Sequence, residues 1–391
     1  MILIGLVAVY TAGIIALIIW GTVVGLRFKG TLAEATLPPE PPTVSVIVPA
    51  RNEARNIDRC VRGLRAQDYP RLEMVFVDDD STDATPNILA QHAGEDSRIK
   101  VIHTGGKPDG WNGKQWACHS GAAAATGEWV CFMDADTAAE PNLLTRTVAF
   151  ALARGVDMLT LQPWYVMGCL WERIVMPMVL WTLLLVFRPE KINDPDDKMA
   201  IANGQFILMP RAVYDALGGH EAVRDRMMED FPLARLAKGS GYRLYMADGA
   251  EVARVHSYTN LKEIRAGGVK AAVEISGGWL STLVVTVINV IVNILPVVAL
   301  LWALLAGSAI PAAILGGLVA VQVIFYAVLR IVAFRAPPWA AISYPLGGLI
   351  AAAITLEGMF RLLSGRGVTW RGRSLLGTPE PAIISRLKES H

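Results

Sequence analysis

The sequence has almost no net charge and few charged residues. Its 391 residues include 36 Lys and Arg against 35 Asp and Glu, a formal balance of +1. Nucleic-acid-binding domains concentrate positive charge on one face, so we expect no nucleic-acid partner. Charged residues make up 18% of the chain and apolar residues 53%, with a mean hydropathy of +0.39. This composition is typical of a membrane protein, not of a soluble enzyme.

Cysteine is scarce as well. Four cysteines occur in the chain: Cys60, Cys118, Cys131 and Cys169. They have no metal-ligand spacing, and they lie in a region that we interpret as cytoplasmic, where thiols stay reduced. We therefore expect free, mostly buried thiols in place of a zinc site or a disulfide framework.

Long apolar runs stand at both ends of the chain. Residues 2–26 contain no charge and are long enough to cross a bilayer core of about 30 Å. No basic region precedes them and no small-residue cleavage site closes them, so we interpret 1–28 as a membrane anchor instead of a signal peptide. Arg27 and Lys29 follow at once, and the positive-inside bias then predicts that the rest of the chain is cytoplasmic.

The C-terminal region, residues 275–360, is predicted to enter the membrane again. Three apolar segments can be drawn there: 281–306, 309–334 and 338–360. Three full crossings would separate the basic tail, 361–391, from the middle of the chain, against the positive-inside bias. Four residues interrupt the last segment: Pro345, Gly347, Gly348 and Glu357. We therefore predict that this segment is re-entrant or interfacial.

The middle of the chain, residues 41–270, has the composition of an α/β domain. Four continuous apolar runs of strand length alternate with helical patterning: 43–48, 73–78, 99–103 and 128–133. This rhythm predicts a parallel sheet that is covered on both faces. A further apolar run at about 171–187 is too short to span a bilayer, so we predict an interfacial helix there.

Ligands of open α/β sheets bind beyond the carboxyl ends of the strands, so the residues after each run are informative. The first run ends in PARNE (49–53), which is not the Gly-rich fingerprint of a dinucleotide fold and argues against an NAD enzyme. The second run ends in DDDSTD (78–83) and the fourth in DAD (134–136). Acidic side chains are therefore expected to gather at one edge of the sheet.

Asp134 and Asp136 follow a predicted buried strand and are one residue apart. Alternation in an extended chain points both side chains to the same side, which suits a hard divalent cation that also holds phosphate oxygens. A solvated strand end is the alternative. The second acidic cluster, after a neighbouring strand, favours the cation site.

Lys114 opens the helix that leads to this strand. Its charge and the free N–H groups of a helix N-terminus could neutralise a diphosphate, and an exposed lysine is the alternative. A third acidic element, Glu229-Asp230, opens a later helix in MMEDFPLA. Helix-dipole capping would account for it, whereas a functional interpretation makes Asp230 a base.

Six motifs together resemble one family. PARNE, VDDDSTD, GWNGKQWA, FMDADT, NGQFILMPRAVYDALGGHE and MMEDFPLA occur in the order of membrane-bound family 2 glycosyltransferases. The resemblance covers about residues 43 to 270 and is nearest to the branch with lipid acceptors: hopanoid-associated, carotenoid and ceramide glycosyltransferases. The tail VTWRGRSL resembles the Trp-Arg/Lys-Gly-Arg ending of that branch. The resemblance implies an α/β GT-A fold, with a Rossmann-like mixed sheet, between N- and C-terminal transmembrane helices.

Carried over by position, the resemblance implies a UDP-sugar site. Seven residues would bind the donor: Pro49, Arg51, Glu53, Asp79, Lys114, Asp134 and Asp136. Asp79 would meet the uracil or ribose, while Asp136, with Asp134, would ligate Mg²⁺ or Mn²⁺ at the diphosphate. Asp230 would be the catalytic base. Four residues would border the sugar or acceptor: Asn203, Gly204, Gln205 and Glu229.

One motif of the wider family is missing from this chain. The Gln-x-x-Arg-Trp sequence of processive polymer synthases is absent, and NLKEIRAGGVKAA stands at its approximate place. Arg265 and Lys270 in that segment either clamp phosphates or lie at the lipid surface. Both interpretations stay open at this point.

The prediction is therefore an integral-membrane, metal-dependent, inverting family 2 hexosyltransferase. It would move one sugar from a UDP-sugar to a lipid hydroxyl of the hopanoid, carotenoid, ceramide or glycerolipid type. Its catalytic domain would face the cytoplasm at a bacterial inner membrane. A polyprenyl-phosphate glycosyltransferase is the first alternative, a processive polysaccharide synthase the second, and a non-enzymatic lipid-binding protein the third.

Overall fold

A computed structural model of the protein describes six ranges of the chain: 1–26, 30–276, 279–334, 336–364, 368–370 and 373–375. The middle of the chain forms a sheet-based domain, and the two ends contribute long apolar helices. Arg27 and Lys29, which carry the predicted orientation of the first helix, lie outside the described residues, as do Arg366 and Arg371 of the tail.

The strands are β1 (Val44–Ala50), β2 (Leu72–Asp78), β3 (Ile99–His103), β4 (Trp129–Met133), β5 (Thr137–Ala139), β6 (Met158–Gln162), β7 (Trp164–Tyr165), β8 (Phe206–Pro210), β9 (Leu244–Asp248), β10 (Ala253–Val255), β11 (Thr369–Trp370) and β12 (Arg373–Ser374). The helices are α1 (Ile2–Leu26), α2 (Ile57–Arg65), α3 (Thr85–Glu95), α4 (Gly113–Ala124), α5 (Leu143–Arg154), α6 (Leu170–Val186), α7 (Pro189–Ile192), α8 (Arg211–Ala216), α9 (Asp230–Gly239), α10 (Leu261–Ser276), α11 (Trp279–Asn289), α12 (Leu295–Leu305), α13 (Ala309–Phe334) and α14 (Tyr344–Leu363).

The main sheet has the strand order β3-β2-β1-β4-β8-β6-β9. The four apolar runs found in the sequence form one parallel part of it, because β1 pairs in parallel with β2 and β4, and β2 with β3. β6 and β9 form a second parallel pair. β8 runs antiparallel to both of its neighbours, so the sheet is mixed, as the resemblance implies. Val46 and Val48 enter one core cluster and Ile47 the other. Helices cover both faces, which explains why the strand sequences are continuously apolar.

Four helical segments among the described residues are long and apolar enough to cross a membrane: Ile2–Val23, Trp279–Leu305, Ala309–Val332 and Pro338–Leu363. They match the predicted anchor and the three predicted C-terminal segments. A π-helical turn, Val290–Ile294, joins α11 to α12 within the second of them. α6, which the sequence predicts as an interfacial helix, packs against α14, α1, α10 and α13.

The last segment contains one continuous helix, α14, so the prediction that polar and small residues interrupt it is wrong. Pro345 lies in the first turn of α14, where a helix loses no hydrogen bond to proline. Glu357 is not isolated in the apolar segment, since its Oε2 lies 2.6 Å from Arg265 Nε and its Oε1 lies 3.0 Å from Arg361 Nη2. These contacts remove the physical reasons for a break.

Two glycines let α14 approach its neighbours closely. A Cβ on Gly347 would collide with the carbonyl oxygen of Ile174 in α6. A Cβ on Gly348 would lie 2.8 Å from Cβ of Asn293, in the π-helical turn. Small residues at helix contacts are typical of membrane bundles, because they allow backbones to pack together.

Both ends of this last segment nevertheless contact the sheet domain, which we define as residues 44–255 apart from α6. Just before the segment, the carbonyl oxygen of Phe334 accepts a hydrogen bond from Trp164 Nε1 at 3.2 Å. At its far end, Leu362 packs in a cluster with Met227. Both ends of the segment thus lie against the sheet domain, and the re-entrant placement in a membrane stays a prediction.

We expect this topology to be visible in cysteine labelling. Ala306→Cys, in the turn between α12 and α13, should react with a membrane-impermeant maleimide from the side opposite to the sheet domain. Ser364→Cys, directly after α14, should react from the same side as Ser97→Cys in the sheet domain, because α14 returns to that side. Labelling of intact spheroplasts and of inverted vesicles measures the difference.

The unsubstituted protein provides the background, since its four cysteines are free and three of them are buried. Labelling of Ser364→Cys from the same side as Ala306→Cys would show that the last segment crosses the membrane completely. That outcome would contradict the re-entrant topology.

Candidate active site

Lys114 is the centre of an ion-pair cluster at the carboxyl edge of the main sheet. It lies in the first turn of α4, as the sequence predicts. Its Nζ lies 2.6 Å from Asp134 Oδ1 and 2.6 Å from Glu229 Oε1. Burial would lower the pKa of Lys114, but the two carboxylates outweigh burial and raise this pKa well above its ordinary value. Lys114 is therefore a fixed cation at neutral pH.

Glu229 and Asp230 are adjacent buried carboxyl groups with opposite pKa shifts. Burial alone would raise the pKa of Glu229, but the charge of Lys114 lowers it below its ordinary value. For Asp230, burial and then the negative charge of Glu229 raise the pKa to about 7. Two neighbouring carboxyl groups with widely different pKa values can have different roles, one as a fixed charge and one as a proton acceptor.

The loop before β8 positions Asp230 through its backbone. Gly204 N–H donates a hydrogen bond to Asp230 Oδ2 at 2.9 Å. A Cβ on Gly204 would lie 2.9 Å from Glu229 Oε1 and 3.1 Å from Lys114 Nζ. Only a residue without a side chain lets the loop come this close to the three charged groups.

Asn203 and Gln205 flank this glycine. Asn203 Nδ2 donates to Tyr165 Oη at 3.3 Å, and Asn203 Oδ1 accepts from Gln205 N–H at 3.2 Å. Gln205 Oε1 is buried and has no hydrogen-bond partner within the described ranges. Burial raises the pKa of Tyr165 to about 12, so its hydroxyl stays neutral. The predicted sugar or acceptor border thus has polar groups directly beside Asp230.

Asp134 and Asp136 do not lie in an extended strand. β4 ends at Met133, and Thr137 N–H donates to the carbonyl oxygen of Asp134 at 3.1 Å, which closes a turn. The premise that strand alternation aligns the two carboxylates is therefore wrong, because the chain leaves β4 here to enter β5 of a smaller sheet, β5-β10-β7.

In the described part of the chain, no three His, Cys, Asp or Glu side chains are grouped so that they could hold a metal ion by themselves. Asp134 and Asp136 offer hard carboxylate oxygens. Mg²⁺ commonly takes one or two carboxylates from the protein, while substrate phosphates and water supply its remaining ligands. The two residues fit a metal site of that kind.

Arg51 holds the loop that follows β2. Its Nη1 donates to the carbonyl oxygens of Asp79 and Asp80, at 3.1 Å in the second case. Both Asn52 and Asp80 adopt a left-handed backbone, with φ of 54° and 53°. Such conformations are costly in residues other than glycine and persist only where neighbouring contacts impose them.

Pro49 and Glu53 contribute to the same edge. Pro49 lies in β1, next to its last residue, and the buried Glu53 follows the strand. Glu53 N–H donates to Thr85 Oγ1 at 2.9 Å, and Glu53 Oε2 accepts from Asn56 Nδ2 at 3.0 Å. Glu53 therefore ties the loop after β1 to the start of α3.

Asp79 has a partner that sequence reasoning missed. Arg373 Nη1 lies 2.8 Å and 2.7 Å from the two carboxylate oxygens of Asp79, and Arg373 Nη2 lies 2.9 Å from Asp80 Oδ2. Thr104 Oγ1 also donates to Asp79 Oδ1, at 3.2 Å. The sequence offers one signal for this contact, the Trp-Arg-Gly-Arg motif in the tail.

The structure separates Arg265 from Lys270. Arg265 pairs with Glu357, so it links α10 to α14 and is not brought to the Lys114 cluster. The charge of Lys270 acts on Glu229 and Asp230, and it lowers the pKa of both after their larger influences. The charge of Lys270 thus acts on the cluster, whereas Arg265 is paired within the helical bundle.

Residues 45–218 match the family described as "Glycosyl transferase family 2". The chain is also 25% identical over 195 residues to 4,4'-diaponeurosporenoate glycosyltransferase of Staphylococcus haemolyticus, which covers 49% of this chain and 51% of that protein. It is 35% identical over 116 residues to the succinoglycan biosynthesis protein ExoO of Rhizobium meliloti, covering 30% and 32%. The chain thus spans about half of the first relative and about a third of the second.

A solved structure resembles nearly the whole chain. The mannosyltransferase PcManGT from Pyrobaculum calidifontis, in complex with GDP-Man and Mn²⁺, aligns with a TM-score of 0.53 at 19% identity. The alignment covers 90% of this chain and 99% of that one. At this level of identity the likeness shows the fold.

Substitution of the glycine beside Asp230 should destabilise the protein. In Gly204→Ala the new methyl group overlaps Glu229 Oε1 and Lys114 Nζ, so one of them has to move. We expect the free energy of unfolding to fall by about 1–3 kcal/mol, the usual cost of overpacking. Thermal denaturation of the purified protein in detergent measures the change.

Gly94→Ala is the matched control, because Gly94 is exposed in α3 and nothing lies within 4 Å of its would-be Cβ. Alanine favours a helix over glycine, so this variant should be at least as stable as the original protein. Equal stability of the two variants would argue against the close approach at Gly204.

Proposed function

We propose that the chain transfers one sugar from a UDP-sugar to a lipid hydroxyl with inversion, because residues 45–218 match glycosyltransferase family 2 and the fold resembles that of a solved mannosyltransferase. One observation carries this proposal. The buried carboxyl group of Asp230, with a pKa raised to about 7, stands next to an ion-pair cluster of Glu229, Lys114 and Asp134. A proton acceptor and a fixed cation are thereby held side by side.

The donor would lie along the carboxyl edge of the sheet. Breakage of the bond between the anomeric carbon and the diphosphate leaves negative charge on the departing nucleoside diphosphate. The ammonium of Lys114 is in position to stabilise this charge. Asp134 and Asp136 would hold Mg²⁺ or Mn²⁺, which when bound supplies Lewis-acid stabilisation to the same oxygens. The Mn²⁺ in the mannosyltransferase complex supports a divalent ion.

Asp230 would act as the base. As the acceptor oxygen forms its bond to the anomeric carbon, Asp230 takes the hydroxyl proton, and the bond to the diphosphate breaks on the opposite face. Glu229 stays ionised beside Lys114, and its charge keeps the proton affinity of Asp230 high. Gln205 Oε1 and Asn203 would contact hydroxyl groups of the sugar or the acceptor.

The acceptor is proposed to be a lipid that enters from the helical bundle. The Lys114 cluster faces Lys270 of α10, and α10 packs on α14 of the bundle. The name of the Staphylococcus haemolyticus relative also supports a lipid acceptor. Arg265 is engaged by Glu357, which gives no support to the polyprenyl-phosphate alternative. We propose that the sheet domain faces the cytoplasm at a bacterial inner membrane.

The test is to incubate membranes that contain the protein with radiolabelled UDP-sugars and Mn²⁺, followed by partition between organic and aqueous phases. We expect label in an organic-soluble product that resists mild acid. An acid-labile product would indicate a polyprenyl phosphate acceptor, and a water-soluble polymer would indicate a processive synthase. Absence of transfer from the whole panel would refute the proposed function.

Asp230→Asn should reduce kcat by about 10²–10⁴-fold, because an amide cannot accept the acceptor proton. In the unsubstituted enzyme, kcat should fall as the pH drops through about 7, since protonation removes the base. The residual activity of Asp230→Asn should lack this acidic limb. Initial rates at saturating substrates, from pH 5.5 to 8.5, measure both effects.

Asp196→Asn serves as the control, because Asp196 is an exposed acid in the loop after α7. It should keep both the rate and the pH profile. Retention of full activity by Asp230→Asn would rule out Asp230 as the base.

A further inference from the structure

The last described part of the chain folds back onto the donor edge. We name residues 368–370 and 373–375 the C-terminal strap. β11 and β12 pair antiparallel within it, and Leu375 N–H donates to the carbonyl oxygen of Val368 at 2.8 Å. Val368 is buried in a cluster with Met227, which stands two residues before Glu229. The strap is therefore anchored on the loop that leads into α9, whose first residue is Asp230, the proposed base.

From this anchor, Arg373 reaches the acidic end of the sheet, 294 residues away along the chain. Its guanidinium binds both oxygens of Asp79 and one oxygen of Asp80. The pair lies directly against α4, because a Cβ on Gly113 would lie 2.6 Å from Asp79 Oδ2 and 2.9 Å from Arg373 Nη1. The side chains of Asp79 and Arg373 are only 5% and 21% exposed. Such a packed, charge-assisted pair fixes the orientation of the carboxylate.

The charges at this edge show why a cation is needed. Five aspartates stand there: Asp78, Asp79, Asp80, Asp134 and Asp136. Lys114 pairs with Asp134 and Glu229, and Arg51 donates to the backbone carbonyl oxygens of Asp79 and Asp80. Arg373 compensates the carboxylates of Asp79 and Asp80 themselves. Without it, a nucleoside diphosphate would approach two further negative charges at short range.

We propose that Arg373 is a positioning residue of the donor site. It holds the carboxylate of Asp79 against α4, in the orientation that receives the nucleoside, and it neutralises the edge so that an anionic nucleoside diphosphate can bind. The identity of the ligand rests on the proposed function. Arg373 thereby adds to the proposed donor site a residue from the C-terminal part of the chain.

The test is nucleotide binding to the full-length protein in detergent, measured by isothermal titration calorimetry with UDP and with GDP in the presence of Mn²⁺. Arg373→Ala should raise the Kd of the bound nucleotide by about 10-fold or more, the effect of losing one charge-assisted contact. In transfer assays the KM for the donor should rise in parallel, while kcat at saturating donor stays within about 3-fold. Arg373→Lys, which restores the charge, should recover part of the affinity.

A double-mutant cycle tests whether Arg373 affects nucleotide binding through Asp79. Asp79→Asn alone should weaken nucleotide binding, and addition of Arg373→Ala should cause little further loss, because the two residues act as a unit. Arg361→Ala is the matched control, since Arg361 also pairs with a carboxylate near the C-terminus but does so at Glu357, in α14. Its Kd should equal that of the original protein.

Unchanged or tighter nucleotide binding by Arg373→Ala, with an unaltered melting temperature, would overturn the inference. A tighter Kd would mean that the guanidinium competes with the nucleotide for Asp79. If the unsubstituted protein transfers no sugar but Arg373→Ala raises the Kd for the nucleotide, the proposed function is refuted and this inference stands. If the unsubstituted protein transfers sugar but Arg373→Ala has the same Kd for the nucleotide, the proposed function stands and this inference is refuted. If the unsubstituted protein binds neither UDP nor GDP, both are refuted.

Discussion

The ammonium of Lys114, held between Asp134 and Glu229, is the contact on which the rest of the site depends. It joins the first turn of α4, the exit of β4 and the residue before α9, which are far apart in sequence. Burial and then the charge of Glu229 raise the pKa of Asp230, while the charge of Lys114 keeps Glu229 ionised and partly opposes the rise at Asp230. A single cation thus links the edge proposed to bind the diphosphate to the proposed base, and Gly204 leaves room for the close approach of Glu229 and Lys114.

The membrane bundle and the sheet domain are coupled through α14. This helix packs on α6 and α10, and Leu362 near its end lies in a cluster with Met227 of the sheet domain. Polar contacts hold it in place, such as Asn289 Nδ2 to the carbonyl oxygen of Gly348 at 2.8 Å. Hydrogen bonds of this kind resist separation where no water can replace them. The position of the C-terminal strap is therefore set from within the bundle.

Local patterns were sufficient for much of this structure. The four parallel strands followed from continuous apolar runs, and the places of Lys114 and Asp230 at helix starts followed from short motifs. The turn at Asp134 could not be predicted, because it depends on β5 pairing with β10. The pairing of Glu357 in α14 with Arg265 in α10 joins two helices that are distant in sequence, so no local pattern indicates it. The contact of Arg373 with Asp79 joins residues almost 300 positions apart, and such a separation leaves no periodicity in the sequence.

That separation also imposes an order of events during synthesis. Asp79 leaves the ribosome long before Arg373, and α6 and α10 to α14 are made between them, whereas α1 comes before both. The ion pair can therefore form only after α11 to α13 have been inserted and α14 has turned back toward the sheet domain. A nascent chain, or one that stops before residue 373, has an acidic edge that is still uncompensated. Completion of this acidic end of the sheet thus has to wait until the helices between Asp79 and Arg373 have been made.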